Sequence, residues 1–387
     1  MKWRTHAGWM WLGLCLGVVV RMDAAELPPR APGFSIPQID LAADASRQIV
    51  VDREANQYLG HPTTLLLEDG QTLLCVYPQG HGKGPIRLRR SRDGGRTWSG
   101  NLPVPENWAT SKETPTLHRV VDASGRRRIV MFSGLNPVRT AISEDDGETW
   151  TPLMPAGEWG GIVAMGSVEP VRDQPGEYLA WFHDDGRFFL PTPMVTRPVT
   201  FTLFQSRSRD GGLSWGLPEV VLSRSDLHLC EPGAVRSPDG REITLLLREN
   251  SRRRNSWWIT SRDEGRTWSD PRELPGALTG DRHVVRYTRD GRLFVSFRDM
   301  GKGSATRGDW VAWVGRYQDI GAGREGQYRI RLMDNRHEFD CAYPGVEVLP
   351  DGTVVTLTYG HWTEGQPPYL VCLRLDMAEM DRLAKDR

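Results

Sequence analysis

The 387-residue sequence has no excess of charge of either sign, since 49 Lys and Arg residues balance 49 Asp and Glu residues. A global field that would draw the chain to nucleic acid or to an anionic membrane is therefore absent, and no nucleic-acid partner is expected. Cys-X-X-Cys spacing is also missing among the five cysteines. This absence argues against a zinc or redox motif.

Segments with a helical period are missing too, apart from the last residues, which predict a short C-terminal helix over 377–387. The apolar run at residues 8–20 is shorter than the ~20 residues that a membrane span needs. Because basic residues precede it and Ala24-Ala25 follow it, the run is typical of a secretory signal peptide over residues 1–25. We therefore expect a secreted or periplasmic protein with no stable membrane insertion after signal cleavage.

The chain is rich in turn and packing residues, with 41 Gly, 27 Pro and 15 Trp. One pattern of Ser, Asp, Gly, Thr or Ser, and Trp occurs four times, at Ser91–Trp98, Ser143–Trp150, Ser208–Trp215 and Ser261–Trp268. In such a turn, Ser and Asp oxygens accept hydrogen bonds from turn amides, Gly tolerates positive φ, and Trp buries its ring. The copies recur at roughly fifty to sixty-five residues, which is the period of a propeller blade.

A second kind of hairpin, a β run, a turn ending in Gly and another β run, occurs six times. Six hairpins predict an all-β chain, a six-bladed β-propeller over residues 48–376 with four of the Ser-Asp-Gly-Trp turns, after a linker at 26–47. The first β run, residues 48–51, is expected to supply the outer strand of the last blade and so to close the ring. The longest insertion, between Phe182 and Phe201 in blade three, predicts a lid or rim loop.

A central funnel at the start of the inner strands is the default binding site of such a ring. Counting nine residues back from the turn glycines reaches four polar residues, His61, Glu231, Arg282 and Tyr343. Glu169-Pro170 and Thr114-Pro115 are interpreted as the starts of the inner strands of blades three and two, because X-Pro holds X extended. The ends of the second strands and the start of one third strand bring further polar residues to the funnel: Asp184, Asp185, Arg248, Arg298 and Arg307.

The arginines Arg248 and Arg307, beside Tyr343 and Glu231, suit a substrate that carries a carboxylate, since a guanidinium binds a carboxylate through two parallel hydrogen bonds. The alternative for each arginine is a salt bridge to a neighbouring Asp or Glu. The segment containing Asp184 and Asp185 could equally be a solvated loop. For the set as a whole we favour a binding site, because polar groups that converge on one concavity usually mark one.

The segment Asp340-Cys341-Ala342-Tyr343-Pro344-Gly345 resembles the catalytic tyrosine segment of the sialidase superfamily, whose six-bladed propellers carry the repeated turns known as Asp boxes. This resemblance implies that Tyr343 is the nucleophile and that Glu231 draws the proton from it. Arg248 and Arg307 are similar to the second and third arginines of the family's carboxylate-binding triad.

The sequence departs from the family pattern at two places. Where sialidases have Arg-Ile-Pro, this chain has Gly60-His61-Pro62, and the segment Gly80-His81-Gly82-Lys83-Gly84 offers no carboxylate where the family has its acid/base aspartate. His61 or His81 could take over the proton transfer, since an imidazole titrates in the required range.

The sequence leaves three functions open. The first is a retaining exo-glycoside hydrolase of sialidase type for sialic acid or another acidic sugar, which implies an acidic glycan as partner and neither a metal nor an organic cofactor. The second is a catalytically silent carbohydrate-binding propeller. The third is an Asp-box hydrolase or lyase for uronic-acid glycans, with histidines as acid and base. The fold alone cannot choose among them.

Overall fold

The computed structural model describes residues 33–189 and 200–387. The predicted signal peptide lies outside the described residues, as do residues 190–199 of the predicted rim loop. Within the described ranges, no helix is long and apolar enough to cross a membrane.

Strands dominate the described chain. In the first half they are β1 (Gln38–Asp40), β2 (Ile49–Asp52), β3 (Thr63–Leu66), β4 (Leu73–Pro78), β5 (Ile86–Ser91), β6 (Thr116–Val121), β7 (Arg127–Ser133), β8 (Arg139–Ser143), β9 (Met154–Pro155), β10 (Ile162–Pro170), β11 (Tyr178–Asp184) and β12 (Thr202–Ser208). In the second half they are β13 (Glu219–Ser223), β14 (Leu229–Arg236), β15 (Ile243–Glu249), β16 (Trp257–Ser261), β17 (Arg272–Glu273), β18 (Gly280–Tyr287), β19 (Leu293–Asp299), β20 (Trp310–Gly315), β21 (Tyr328–Met333), β22 (Gly345–Val348), β23 (Val354–Gly360) and β24 (Tyr369–Leu375).

These strands form six sheets, one for each predicted blade, and confirm the six-bladed all-β propeller. Blade one contains β3 to β5, blade two β6 to β9, blade three β10 to β13 and blade four β14 to β17. Blade five contains β18 to β21 with β1 at its outer edge, and blade six contains β22 to β24 with β2 at its outer edge. Apolar clusters fill the spaces between neighbouring blades, as where Val235 and Leu246 of blade four pack with Val295 of blade five.

The ring closes as predicted, because β2 pairs antiparallel with β24 and Ile49 lies opposite Cys372. The predicted linker at 26–47 also contributes structure that the sequence did not indicate. Strand β1 runs parallel to β21 with Ile39 opposite Ile330, and the buried Ile39 side chain joins the apolar core of blade five. A short 3₁₀ helix at Ala45–Arg47 follows it.

The four Ser-Asp-Gly-Trp turns share one hydrogen-bonding scheme. In the first, Gly95 N–H donates to Ser91 Oγ at 2.8 Å, and Thr97 N–H donates to Asp93 Oδ1 at 2.9 Å. Gly95 has a φ of +84°, and a Cβ there would lie 2.9 Å from Val355 of the preceding blade. The turn therefore needs glycine both for its backbone conformation and for close packing between blades.

Two α-helices and two further 3₁₀ turns, at Glu106–Thr110 and Gly276–Leu278, complete the described structure. Helix α1 (Tyr317–Ala322) connects β20 to β21, and helix α2 (Met377–Lys385) occupies the predicted C-terminal position. The Asp376 side chain caps α2 by accepting a hydrogen bond from Glu379 N–H. Among the described residues the cysteines are buried and free, at Cys75, Cys230, Cys341 and Cys372.

Candidate active site

Irregular backbone at the start of the inner strands directs polar side chains to the centre of the ring. His61, Glu231 and Arg282 have φ values of +56°, +51° and +55°, in the left-handed region that non-glycine residues rarely adopt. The ladders of blades four and five shift register on either side of Glu231 and Arg282. Bulges of this kind turn a side chain out of its ladder, and strained residues of this kind cluster at functional sites.

A cavity of about 250 Å³ opens where the inner strands begin. Its walls come from blades one, two, three, four and six, which is the arrangement expected of a central funnel. Polar residues dominate the lining, which includes His61, His81, Glu113, His183, Asp185, Arg187, Glu231, Arg248, Asn250 and Tyr343.

Tyr343, Glu231 and Arg248 form one hydrogen-bonded group in this cavity. The Tyr343 hydroxyl donates to Glu231 Oε1, and Arg248 Nη1 donates to the same oxygen at 2.6 Å. Arg248 Nη1 also lies 3.4 Å from the Tyr343 hydroxyl. The second carboxylate oxygen of Glu231 is buried without a hydrogen-bond partner.

The surroundings lower the pKa of Glu231 and raise the pKa of Tyr343. Burial acts to raise the pKa of Glu231, but the Arg248 charge and the hydrogen bond from Tyr343 outweigh it and hold that pKa below the ordinary 4.5. Burial and then the Glu231 charge raise the pKa of Tyr343 well above 10, against the opposing charge of Arg248. The resting site therefore holds a neutral phenol against an ionised carboxylate that can accept its proton.

Asp281 anchors the arginines around the tyrosine. This fully buried carboxylate forms ion pairs with Arg248, Arg252 and Arg298. The Arg298 side chain also donates to the carbonyl of Cys341 at 3.2 Å, and its guanidinium lies 5.9 Å from the centre of the Tyr343 ring. Arg298 therefore fixes the tyrosine segment and does not line the cavity.

Arg282 also lies close to the tyrosine ring. Its guanidinium is 5.8 Å from the ring centre, and it lines a second cavity of about 420 Å³ in the central channel. Burial lowers the pKa of Arg282, and its Nη1 has no hydrogen-bond partner. Of the four residues at the nine-residue offset, three line the funnel cavity, and Arg282 lines the channel cavity next to it.

Arg307 is not brought to the cavity. It lies exposed between β19 and β20, with its guanidinium 5.0 Å from the centre of the Phe339 ring. Two other arginines of blade five lie near the tyrosine instead, with Arg282 at 5.8 Å and Arg298 at 5.9 Å from the centre of its ring.

His61 and His81 lie side by side with their ring centres 4.7 Å apart. Nδ1 of His61 accepts a hydrogen bond from Gly82 N–H at 3.1 Å, so the proton of the neutral ring is on Nε2, which faces the Tyr359 hydroxyl at 3.2 Å. Burial and then the neighbouring His81 hold the pKa of His61 well below 6.5. His61 is therefore a neutral wall of the site, whereas His81 is exposed and its Nδ1 lies 2.7 Å from the Tyr58 hydroxyl.

Asp184 and Asp185 have different surroundings. Asp184 accepts hydrogen bonds from the backbone N–H groups of Gly186 and Phe188 and so shapes the start of the rim loop. Asp185 lines the cavity and pairs with Arg187 at 2.7 Å.

The inner strand of blade three differs from its sequence-based interpretation. Glu169-Pro170 ends β10 and does not begin it, since Pro170 pairs with Tyr178 at the turn side of the blade. The strand begins at Ile162 and shifts register before Ser167, with Met165 at a φ of +55°. An irregular stretch of this kind has no proline to reveal it in the sequence.

Glu113 is among the cavity residues that the sequence argument missed. It immediately precedes Thr114-Pro115, the pair that does lie before the inner strand β6 of blade two. The X-Pro pattern had located Thr114-Pro115, so the residue just before that pair could have been considered as well.

Three residues near the rim could hold a metal ion, since the ligand atoms of His337, Asp340 and His361 lie within 4.8 Å of one another. However, His361 Nδ1 faces the Gln366 carbonyl at 3.1 Å and must carry a proton, and Nε2 lies 3.1 Å from the Asp340 carboxylate. The ring of His337 stacks on that of His361 with centres 4.4 Å apart. Because both ring nitrogens of His361 already face oxygen atoms of the protein, the arrangement fits a His361–Asp340 hydrogen bond better than a metal centre.

Comparisons with known proteins agree with this architecture. The family described as BNR repeat-like domain matches residues 133–355, more than half of the chain. A sialidase of Clostridium perfringens is 22% identical over 289 residues, which make up 67% of this chain and 61% of that protein. The chain thus spans about three fifths of the length of this curated relative.

Two solved structures share the fold. A protein of unknown function from Dyadobacter fermentans has a TM-score of 0.65 at 16% identity, over 85% of this chain and 97% of its own. The leech intramolecular trans-sialidase, in complex with 2,7-anhydro-Neu5Ac, has a TM-score of 0.58 at 15% identity, over 85% of this chain and 69% of its own. The chain belongs to the BNR repeat-like family, and its six-bladed propeller is similar to those of sialidases.

Proposed function

We propose that the protein is a retaining exo-glycoside hydrolase for a sugar that carries a carboxylate. The observation that carries this proposal is the hydrogen bond from the Tyr343 hydroxyl to the ionised, buried Glu231 at the floor of an open cavity. In this reaction Tyr343 Oη attacks the anomeric carbon while its proton passes to Glu231.

A tyrosine nucleophile suits an acidic sugar in particular. A carboxylate nucleophile would be repelled by the carboxylate of the substrate, whereas a neutral phenol is not. Arg248 is positioned to bind that substrate group, because its partly exposed side chain lines the cavity beside both catalytic residues. Arg187, about half exposed at the rim, adds a second positive charge at the mouth.

Sialic acid is the first candidate for the sugar, since the curated relative is a sialidase and a structural neighbour is a trans-sialidase in complex with 2,7-anhydro-Neu5Ac. Uronic acids are the alternative. They share the carboxylate that Arg248 would bind but not the remainder of the sialic acid structure.

Turnover of a panel of fluorogenic sialosides and uronides tests the proposal. Tyr343→Phe removes the nucleophilic oxygen and Glu231→Gln removes the base, and both preserve side-chain shape. Each variant should fold and should lose at least ~100-fold in turnover, the lower end of what general base catalysis contributes. Unchanged turnover in Tyr343→Phe would exclude the proposed mechanism.

A second candidate function is a carbohydrate-binding propeller without catalysis. It is favoured because the site lacks a full set of arginines that could bind the substrate carboxylate. Arg298 is committed to Asp281, Arg307 lies over Phe339, and the neutral His61 occupies the position of the first arginine. Wild-type protein that binds an acidic sugar, hydrolyses none of the panel and binds equally well as Tyr343→Phe would establish this alternative.

Export is also part of the proposal, on the basis of the apolar run at residues 8–20 and the small residues after it. N-terminal sequencing of protein recovered from the extracellular or periplasmic fraction should show cleavage close to Ala25. Recovery of uncleaved protein from the cytoplasm alone would contradict it.

A further inference from the structure

The site lacks a proton donor for the leaving group in the segment where the family pattern places one. That segment, Gly80 to Gly84, contains no carboxylate. In the structure it packs against the chain that precedes blade two, because Gly84 N–H donates to the carbonyl of Ser111 at 3.1 Å. Gly82 N–H is held by His61. The glycine-rich segment thus brings the next stretch of chain to the mouth of the cavity.

Glu113 is the carboxyl-bearing residue of that stretch, and two glycines make room for it. A Cβ at Gly82 would lie 3.0 Å from Glu113 Oε1, and a Cβ at Gly134 would lie 2.9 Å from Glu113 Cγ. Neither position could accept a larger residue without moving the carboxyl group. The placement of Glu113 is therefore built into the segments on both sides of it.

The hydrogen bonds of Glu113 leave one of its oxygens available. Oε1 accepts from Thr114 N–H at 2.8 Å and from Thr114 Oγ1 at 2.9 Å. Within the described residues, no hydrogen bond or ion pair engages Oε2. The residue lines the same cavity as Tyr343, Glu231 and Arg248.

The pKa of Glu113 is shifted in the opposite direction to that of Glu231. Burial raises the pKa of Glu113 above 4.5, the Thr114 hydrogen bonds oppose this, and the negative charge of Glu231 adds to the increase. His81 opposes the increase, and the charge of Arg282 also acts on Glu113, but neither residue forms an ion pair with it in the described part of the chain. Two carboxyl groups whose pKa values are driven apart in one site are the usual arrangement of an acid and a base.

We propose that Glu113 is the general acid and base of the glycoside hydrolase reaction. This proposal rests on the proposed function. In the first step Tyr343 Oη bonds to the anomeric carbon, the bond from that carbon to the leaving-group oxygen breaks, Glu231 takes the tyrosine proton, and Glu113 gives its proton to the leaving group. In the second step Glu113 takes a proton from water, the water oxygen displaces Tyr343 from the anomeric carbon, and Glu231 returns its proton to the tyrosine.

The test compares two leaving groups in the wild type and in Glu113→Gln. An alkyl alcohol leaves only when it is protonated, whereas 4-nitrophenol leaves readily as an anion. The variant should therefore lose at least ~100-fold in the cleavage step on the alkyl glycoside of the acidic sugar. The release of 4-nitrophenol in a single turnover of the aryl glycoside should change far less.

The pH profile supplies a second readout. If Glu113 must be protonated, kcat/KM of the wild type falls as the pH rises through its pKa, and this basic limb should disappear in Glu113→Gln on the aryl substrate. Glu169→Gln is the matched control, because burial also raises the pKa of Glu169, but this residue lines the channel cavity on the far side of the propeller. The control should keep both the wild-type rates and the basic limb.

The outcomes separate the two proposals. Wild-type turnover of both substrates, with selective loss on the alkyl glycoside in Glu113→Gln, supports the assignment. Equal losses on both substrates, or retention of the basic limb, overturn the role of Glu113 and leave the proposed function standing. A wild type that cleaves neither substrate overturns the proposed function, and the role of Glu113 falls with it.

Discussion

At the scale of single residues, Glu231 and Glu113 predict the pH dependence of activity. In the proposed mechanism Glu231 acts as a carboxylate, and its pKa is lowered from 4.5, so activity should be lost on the acid side only below that value. Glu113 acts as an acid in the same mechanism, and its pKa is raised from 4.5, so activity should be lost as the pH rises through the raised value. A bell-shaped plot of kcat/KM is expected, with its acid limb below pH 4.5 and its basic limb above pH 4.5. A rate that rises steadily through neutral pH would contradict these assignments.

Substitution of Asp281 should strongly lower the free energy of unfolding. Asp281→Asn removes the partner of three arginines, and uncompensated buried charge should cost about 3–5 kcal/mol in urea unfolding. The neighbouring cations hold the pKa of Asp281 well below 3.8 against the effect of burial. Its contribution to stability is therefore full above pH 3.8 and is lost as the pH falls through the lowered pKa.

The partly exposed pair of Asp226 and Arg224 provides the control for this variant. Asp226→Asn should change the free energy of unfolding by less than about 1 kcal/mol, since surface ion pairs contribute little. Similar small changes in both variants would show that the buried arginines do not depend on Asp281.

The pairing of Tyr343 with Glu231 could be predicted from the sequence, but the surroundings of this pair could not. Tyr343 and Glu231 lie at a fixed offset from turn glycines, and the structure brings them into hydrogen-bond contact. Arg307 was chosen by its motif, but a loop between two strands has no fixed register, and this one leads Arg307 to Phe339. Glu113 does not lie at the nine-residue offset, so a count from the turns misses it.

At the scale of elements, the Ser-Asp-Gly-Trp turns predict graded effects on stability. Trp215 is buried, packs against Phe132 with ring centres 5.2 Å apart, and donates to Gly212 O at 3.1 Å. Trp215→Ala should therefore cost about 3–5 kcal/mol, whereas Trp98→Ala, which removes a partly exposed ring, should cost less. Chemical denaturation of both variants measures the difference, and equal losses would contradict this view of the turns.

The blades could be predicted because their hairpins repeat along the sequence, whereas elements that occur once, such as β1 and α1, could not. The six hairpins recur with the same turn chemistry, so each copy supports the assignment of the others. Strand β1 has three residues and helix α1 has six, which is too short for a hydrophobic period to stand out. Their positions are decided by packing, as the buried Ile39 and Ile320 side chains show.

At the scale of the whole molecule, the two ends of the described chain close the ring through β2 and β24. Ile49 lies opposite Cys372 in that pair, and both side chains belong to the same apolar cluster. Ile49→Cys, folded under oxidising conditions, should form a disulfide with Cys372, because directly opposed residues lie within reach of one.

This cross-link should stabilise the ring by roughly 2–4 kcal/mol, an effect that a reductant reverses. Thermal unfolding with and without reductant, together with a count of free thiols, measures it. Val50→Cys is the control, since its partner Val371 has no thiol. A free Cys372 in oxidised Ile49→Cys would show that the ring is closed in a different register.

The central claim concerns the whole site, namely that Tyr343 becomes covalently bonded to the sugar during turnover. Mass spectrometry of protein quenched during reaction with a fluorinated aryl glycoside of the acidic sugar tests it most directly, since fluorine beside the anomeric carbon slows the loss of the intermediate. The account predicts one added glycosyl mass on the peptide that contains Tyr343, and none in Tyr343→Phe. Turnover without an adduct, or an adduct on another residue, would contradict it.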